Sequence, residues 1–103
     1  MAPEVIAGFK YTEKADVFSY GIILWELLTR QPPYYGIDGT EVSWKVVTED
    51  LRPKISKEQE NNSPPDFINL MKRCWDWEPA NRPLFDEIIE CLNNIETDKF
   101  DGK

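Results

Sequence analysis

The sequence predicts an all-α fold with no sheet. Three observations carry that reading: apolar residues recur at helical three-and-four spacing, helix-start signals precede those runs, and no segment sustains the period-two alternation of a half-buried strand. The first helix is predicted over Val17–Leu28, where Glu26 is the only charged residue and large apolar groups occupy every side of the helical wheel. A helix that is apolar all round is normally buried all round, and a chain of 103 residues is too short to surround this one, so part of its apolar surface is expected to stay unburied. Asp16 is expected at or beside its N-cap, where a carboxylate accepts orphan backbone N–H bonds at the favourable end of the helix dipole. Pro32 and Pro33 then stop the helix, because proline disfavours helical geometry in the residue before it and has no donor of its own.

Asp38-Gly39-Thr40-Glu41 reads as a capping box with a carboxylate in place of the usual hydroxyl. It opens a helix of about two turns carrying Val42, Trp44, Val46 and Val47. A loop is expected from Leu51 through the charged stretch to Asn62. Ser63-Pro64-Pro65-Asp66 is the next start signal, ahead of one apolar stripe made by Phe67, Leu70, Met71, Cys74 and Trp75. Trp75 belongs to the core on that stripe. Past Arg82-Pro83, the last helix is predicted to turn Leu84, Phe85, Ile88, Ile89, Leu92 and Ile95 inward and Asp86, Glu87, Glu90 and Asn94 outward. Residues 1–96 are expected to form one domain and 97–103 a polar tail.

Composition narrows the function. With 103 residues, 41% hydrophobic and 13% aromatic, the chain has enough for one modest core and is too rich in aromatics for a disordered segment. The formal charge of −7 leaves no basic footprint for nucleic acid or anionic membrane, so neither partner is expected. There is no histidine, and Cys74 and Cys91 form no CxxC pair, which excludes zinc-site spacing and a Cys-His dyad; no metal is expected. Two cysteines in helical-looking stretches and no basic-then-apolar leader predict a cytoplasmic location. The apolar run Val17–Leu28 is shorter than the roughly 20 residues a membrane-spanning helix needs. The carboxylates of Asp16, Glu26, Asp76, Glu78, Asp86 and Glu87 read as caps and solvated faces rather than as a hydrolytic pair, so no catalytic residue is assigned.

Several separated motifs resemble, in order, the C-terminal lobe of eukaryotic protein kinases of the tyrosine-kinase and tyrosine-kinase-like groups. Met1-Ala2-Pro3-Glu4 is similar to the Ala-Pro-Glu motif that closes the activation segment. Lys14-Ala15-Asp16-Val17-Phe18-Ser19-Tyr20-Gly21-Ile22 resembles the start of the central F helix, continued by Trp25-Glu26-Leu27-Leu28-Thr29-Arg30, and Cys74-Trp75, Pro79 and Arg82-Pro83-Leu84-Phe85 resemble the Cys-Trp, Pro, Arg-Pro-x-Phe pattern. The resemblance implies helices F, G, H and I of that lobe. It pairs Glu4 with Arg82 as a structural ion pair, makes Asp16 an anchor for the catalytic loop, and makes Ile23 and Leu27 the base of the internal hydrophobic spine. The helix from Thr40 to Thr48 matches the G helix, which implies docking of a protein substrate or regulator through Val42, Trp44 and Val47. Three positions depart from the pattern: Phe18 stands where tryptophan is usual, Tyr20 where phenylalanine is, and Leu84 where a capping Ser/Thr is common, leaving that cap to Asn81 or to nothing.

Phosphoryl transfer in kinases needs a Gly-rich loop, a nucleotide-binding lysine, the His-Arg-Asp loop and the metal-binding Asp-Phe-Gly. None of these is in the sequence, and Gly36-Ile37-Asp38-Gly39 lies between helices rather than after a strand. The chain is therefore expected to carry no ATP and no Mg, which belong to the complete parent kinase, and to be inactive alone. A binding module using the G-like helix and a remnant without function are the alternatives.

Overall fold

The computed structural model describes residues 1–95. The predicted polar tail at 97–103 lies outside the described residues. The elements are α1 (Pro3–Ile6), α2 (Glu13–Thr29), α3 (Gly39–Thr48), α4 (Lys57–Asn62), α5 (Pro65–Cys74), a 3-10 turn (Pro79–Asn81) and α6 (Phe85–Asn94). Among the described residues there is no strand, as the all-α reading requires. No helix among them is long and apolar enough to cross a membrane.

The central helix starts earlier than its apolar run. Thr12 is the N-cap of α2, its hydroxyl accepting from the Lys14 N–H at 3.2 Å. Asp16 therefore sits inside the first turn, exposed, and accepts from the Tyr11 hydroxyl instead of capping. The capping hydroxyl four residues upstream wins because the cap must precede the first helical N–H groups. At the other end Arg30 adopts a left-handed conformation, φ 58°, and returns its N–H to the Glu26 carbonyl at 2.8 Å. That closure ends the helix before Pro32 is reached.

Helices α2 and α5 form the main packing pair, with Phe18, Leu24 and Trp25 meeting Phe67, Met71 and Cys74 in the core. Gly21 makes the close approach: a Cβ there would stand 2.8 Å from the Cys74 Cβ and 3.2 Å from the Met71 carbonyl oxygen. Alanine is the better helix former by about 1 kcal/mol, but overpacking a tight contact costs about 1–3 kcal/mol, so the clash decides the sign. Gly21→Ala is expected to lower stability in urea titration. An unchanged or higher midpoint would mean that the two helices do not approach this closely.

Part of the apolar wheel of α2 stays unburied, as expected of a chain too short to surround it. Val17, Phe18, Leu24 and Trp25 are buried, but Ile23 is 47% and Leu27 61% exposed. They share one helical face with Tyr20. A correction applies to α6: Ile88 and Ile95 are buried, whereas Leu84, Phe85 and Ile89, predicted inward, are exposed. Of the helices, α6 packs chiefly on α5, which covers the Ile88 side and leaves the Phe85–Ile89 edge open. Phe85 meets Tyr20 edge-on, ring centroids 5.8 Å apart, so the two uncovered apolar edges lie side by side.

The remaining elements refine the termini. The expected loop before Asn62 contains α4, held by a reciprocal capping box in which the Gln59 N–H donates to Ser56 Oγ and the Ser56 N–H donates to Gln59 Oε1, both at 3.1 Å. Nothing in α4 is buried, so no apolar periodicity announced it. Ser63 does not cap α5; it ends α4, and α5 begins with Pro65 after Pro64. Asp38 caps α3, accepting from the Thr40 N–H at 3.2 Å, but among the described residues Glu41 does not complete the expected box, and the helix runs 10 residues rather than about two turns. Asn81 does not cap α6: the Glu87 carboxylate accepts from the Leu84 N–H at 3.2 Å, while Asn81 reaches Asp76.

Candidate functional site

Among the described residues, a dense polar arrangement is built around Arg82. Pro3 in the first turn of α1 and the Ala2 N-cap orient Glu4 toward the body of the protein. The 3-10 turn ends at Arg82, whose extended backbone and following Pro83 direct its side chain inward. Arg82 Nη1 and Nη2 donate to the two oxygens of Glu4 at 2.7 and 2.8 Å, the bidentate geometry that a guanidinium and a carboxylate favour. The Arg82 side chain is 0% exposed. Its remaining donors are used as well: Nε reaches the Asp76 carbonyl at 2.8 Å and Nη1 the Lys14 carbonyl at 2.9 Å. The Lys14 ammonium in turn donates to the Arg82 carbonyl.

Phe18 forms the apolar floor of this hub. The guanidinium carbons of Arg82 and Arg52 lie 5.0 and 4.9 Å from its ring centroid, within cation–π range. Arg52 is fixed by its own donors, Nε to the Trp75 carbonyl at 2.9 Å and Nη1 to the Leu51 carbonyl at 2.8 Å, and it pairs with Asp50 at 2.9 Å. One aromatic ring thus ties together the start of the chain, the segment after α3 and the segment after α5.

Burial pushes the Glu4 carboxyl upward, but the hydrogen bonds and charge of Arg82 outweigh it and hold the group below 4.5, its ordinary value. A carboxyl depressed in the folded state contributes stability above its unfolded value and loses it as the pH falls through the folded one. Acid titration is therefore expected to remove the contribution of Glu4 below about pH 4.5, and Glu4→Gln to flatten that part of the stability profile. An identical acid limb in the variant would show that the pair contributes nothing there.

The other predicted site residues lie apart from the hub. Asp16 is exposed near the start of α2, and Ile23 and Leu27 line its open face. On α3, Val46 points into the core, Val42 and Val47 are half-buried, and Trp44 projects outward at 65% exposure. Trp75 is buried and Trp77 is exposed. Arg52 belongs to no motif, and Lys14, which heads the F-helix motif, has no contact role implied by it. The Arg82 carbonyl that Lys14 meets and the Trp75 carbonyl that Arg52 meets are far away in sequence, so only tertiary structure brings these contacts to the hub. Among the described residues, no three or more Cys, Asp or Glu side chains gather as a metal site. The arrangement contains no nucleophile paired with a base; it is a brace.

A helical lobe crossed by a buried, bidentate link from an Ala-Pro-Glu glutamate to an Arg-Pro arginine defines the C-terminal lobe of a protein kinase. The family model for protein tyrosine and serine/threonine kinases matches residues 1–92, and the chain belongs to that family. It is 46% identical over 100 residues to the probable serine/threonine-protein kinase drkB of Dictyostelium discoideum, covering 97% of this chain and 14% of that protein. It is 48% identical over 95 residues to the serine/threonine-protein kinase STY17 of Arabidopsis thaliana, covering 92% of this chain and 16% of that protein. Against mitogen-activated protein kinase kinase kinase 7 of Bos taurus the identity is 42% over 97 residues, 92% of this chain and 16% of that protein. The chain thus spans 14–16% of the length of these relatives.

Proposed function

We propose that this chain is the C-terminal portion of a catalytic domain whose complete form phosphorylates serine or threonine in proteins, using ATP and Mg, and that by itself it transfers no phosphate. The observation that carries the reading is the uncovered apolar edge of α2 and α6, where Ile23, Leu27, Phe85 and Ile89 face outward beside the Tyr20–Phe85 contact. A central helix with large apolar groups on its open side is half of an interface. Ile23 and Leu27 are then the base on which the hydrophobic spine of the whole domain stands, and Asp16 exchanges its Tyr11 contact for the backbone of the catalytic loop. Glu4 and Arg82 act as the architectural pair holding the end of the activation segment against the lobe. The tyrosine-kinase-like group is favoured by Met1-Ala2-Pro3-Glu4 and by relatives that are serine/threonine kinases. A cytoplasmic setting suits the free Cys74 and Cys91. Incubating the chain alone with radiolabelled ATP, Mg and a serine-containing protein substrate should give no incorporation; sustained incorporation would sink the proposal.

A second reading rests on Trp44. A large indole 65% exposed on an ordered helix is the kind of group that anchors a protein contact, and α3 then docks a substrate or regulator with Val42 and Val47 supporting it. Trp44→Ala should abolish capture of such a partner by the purified chain, and unchanged capture would dismiss α3 as the docking element.

A further inference from the structure

Trp44 does not project into a purely apolar surface, and its surroundings specify the chemistry of what it would hold. On α3, Glu41 lies one turn before Trp44 and Thr48 one turn after, so all three face outward together, opposite the buried Val46. Thr48 donates its hydroxyl back to the Trp44 carbonyl at 2.8 Å, so that donor is already engaged within the helix. Glu41 forms no ion pair among the described residues, Lys45 one turn further on included. A solvated carboxylate thus stands about one helical turn, roughly 5–6 Å between Cβ atoms, from an open indole face.

We infer that this face of α3 receives an arginine side chain of a partner protein, the guanidinium stacking on Trp44 and pairing with Glu41. The inference rests on the α3 docking reading and adds the chemical identity of the group docked. A planar guanidinium satisfies both features at once, because it stacks on an aromatic face while its edge N–H groups address a carboxylate. A lysine ammonium is a point charge that gains less from the ring, and an aliphatic side chain leaves Glu41 unused. The formal charge of −7 draws cationic segments toward the chain at the encounter stage. Trp77 provides the internal contrast. It too is exposed, at 47%, but its neighbouring carboxylates are already engaged, Asp76 with the Glu78 N–H at 2.9 Å and Glu78 with the Ala80 N–H at 3.4 Å.

The test is a titration of the full chain with two acetylated, amidated peptides, hexaarginine and hexalysine, followed through the indole N–H resonances by nuclear magnetic resonance. Trp44→Phe assigns the resonance. Hexaarginine is expected to move the Trp44 signal more than that of Trp77 and to bind roughly two- to fivefold more tightly than hexalysine. Glu41→Gln, a change at an exposed position, is expected to weaken the arginine peptide by a similar factor. Equal binding of the two peptides, or an arginine response unaffected by Glu41→Gln, overturns the inference. If either occurs while Trp44→Ala still abolishes partner capture, α3 docks by another chemistry and only the arginine assignment falls. If Trp44→Ala leaves capture intact, the docking reading falls with it.

Discussion

Arg82→Met should be the most damaging single substitution in the chain, with a loss of about 3–5 kcal/mol in urea unfolding. The loss follows from what stays behind rather than from the attraction removed. The Glu4 carboxylate, 14% exposed at its side chain, would lose its bidentate partner, and the carbonyls of Lys14 and Asp76 would lose bonds of 2.9 and 2.8 Å. Methionine fills a similar length of space, so lost volume is not the cause. Glu4→Gln should be milder, because a neutral amide oxygen still accepts from Arg82. Glu4→Met combined with Arg82→Met should recover part of the loss, since no buried carboxylate is then stranded. A double variant as unstable as the sum of the two single ones would show that the pair is not coupled.

Phe18→Ala should come close behind, at about 3–5 kcal/mol, the usual cost of emptying a buried phenylalanine site. Phe18 is fully enclosed in the core and carries a guanidinium at 4.9 Å and another at 5.0 Å from its ring centroid. Removing the ring therefore creates a cavity and also leaves two cations without their aromatic partner. Phe18→Leu separates these effects, since it keeps most of the apolar volume and removes the quadrupole. It should cost less than alanine, and the Arg82→Met and Phe18→Ala losses should be less than additive because the residues touch. Phe18→Leu matching the wild type in a thermal melt would reduce the ring to a filler.

Much of this architecture was legible in the sequence because it is written in local patterns. The stripe Phe67, Leu70, Met71, Cys74 and Trp75 is buried as the spacing predicts, and Asp38 caps the helix it precedes. Where the reading missed, the deciding information was either polar or distant. Helix α4 buries nothing, so the Ser56 and Gln59 pair was its only sign. The outward Leu84, Phe85 and Ile89 were placed inward because periodicity marks an apolar edge without saying whether this chain covers it. The link from Glu4 to Arg82 came from resemblance, and the structure gives its dimensions; Arg52 and Lys14 joined the hub through carbonyls that no side-chain pattern encodes. On α2 both the all-round apolar wheel and its unburied side were legible, and among the described residues only one side of the helix is covered.

That half-covered helix makes the account testable in one measurement. The chain is joined to the upstream catalytic segment of a serine/threonine kinase relative, and phosphate transfer from ATP to a protein substrate is compared with and without Leu27→Asp, a change at a position 61% exposed in the isolated chain. The joined protein should be active and the Leu27→Asp form should lose nearly all of that activity, because a charge would enter the interface that completes the domain. Full activity of the Leu27→Asp form, or equal phosphate transfer by the chain alone, would contradict the claim that this face is completed by the rest of a kinase domain.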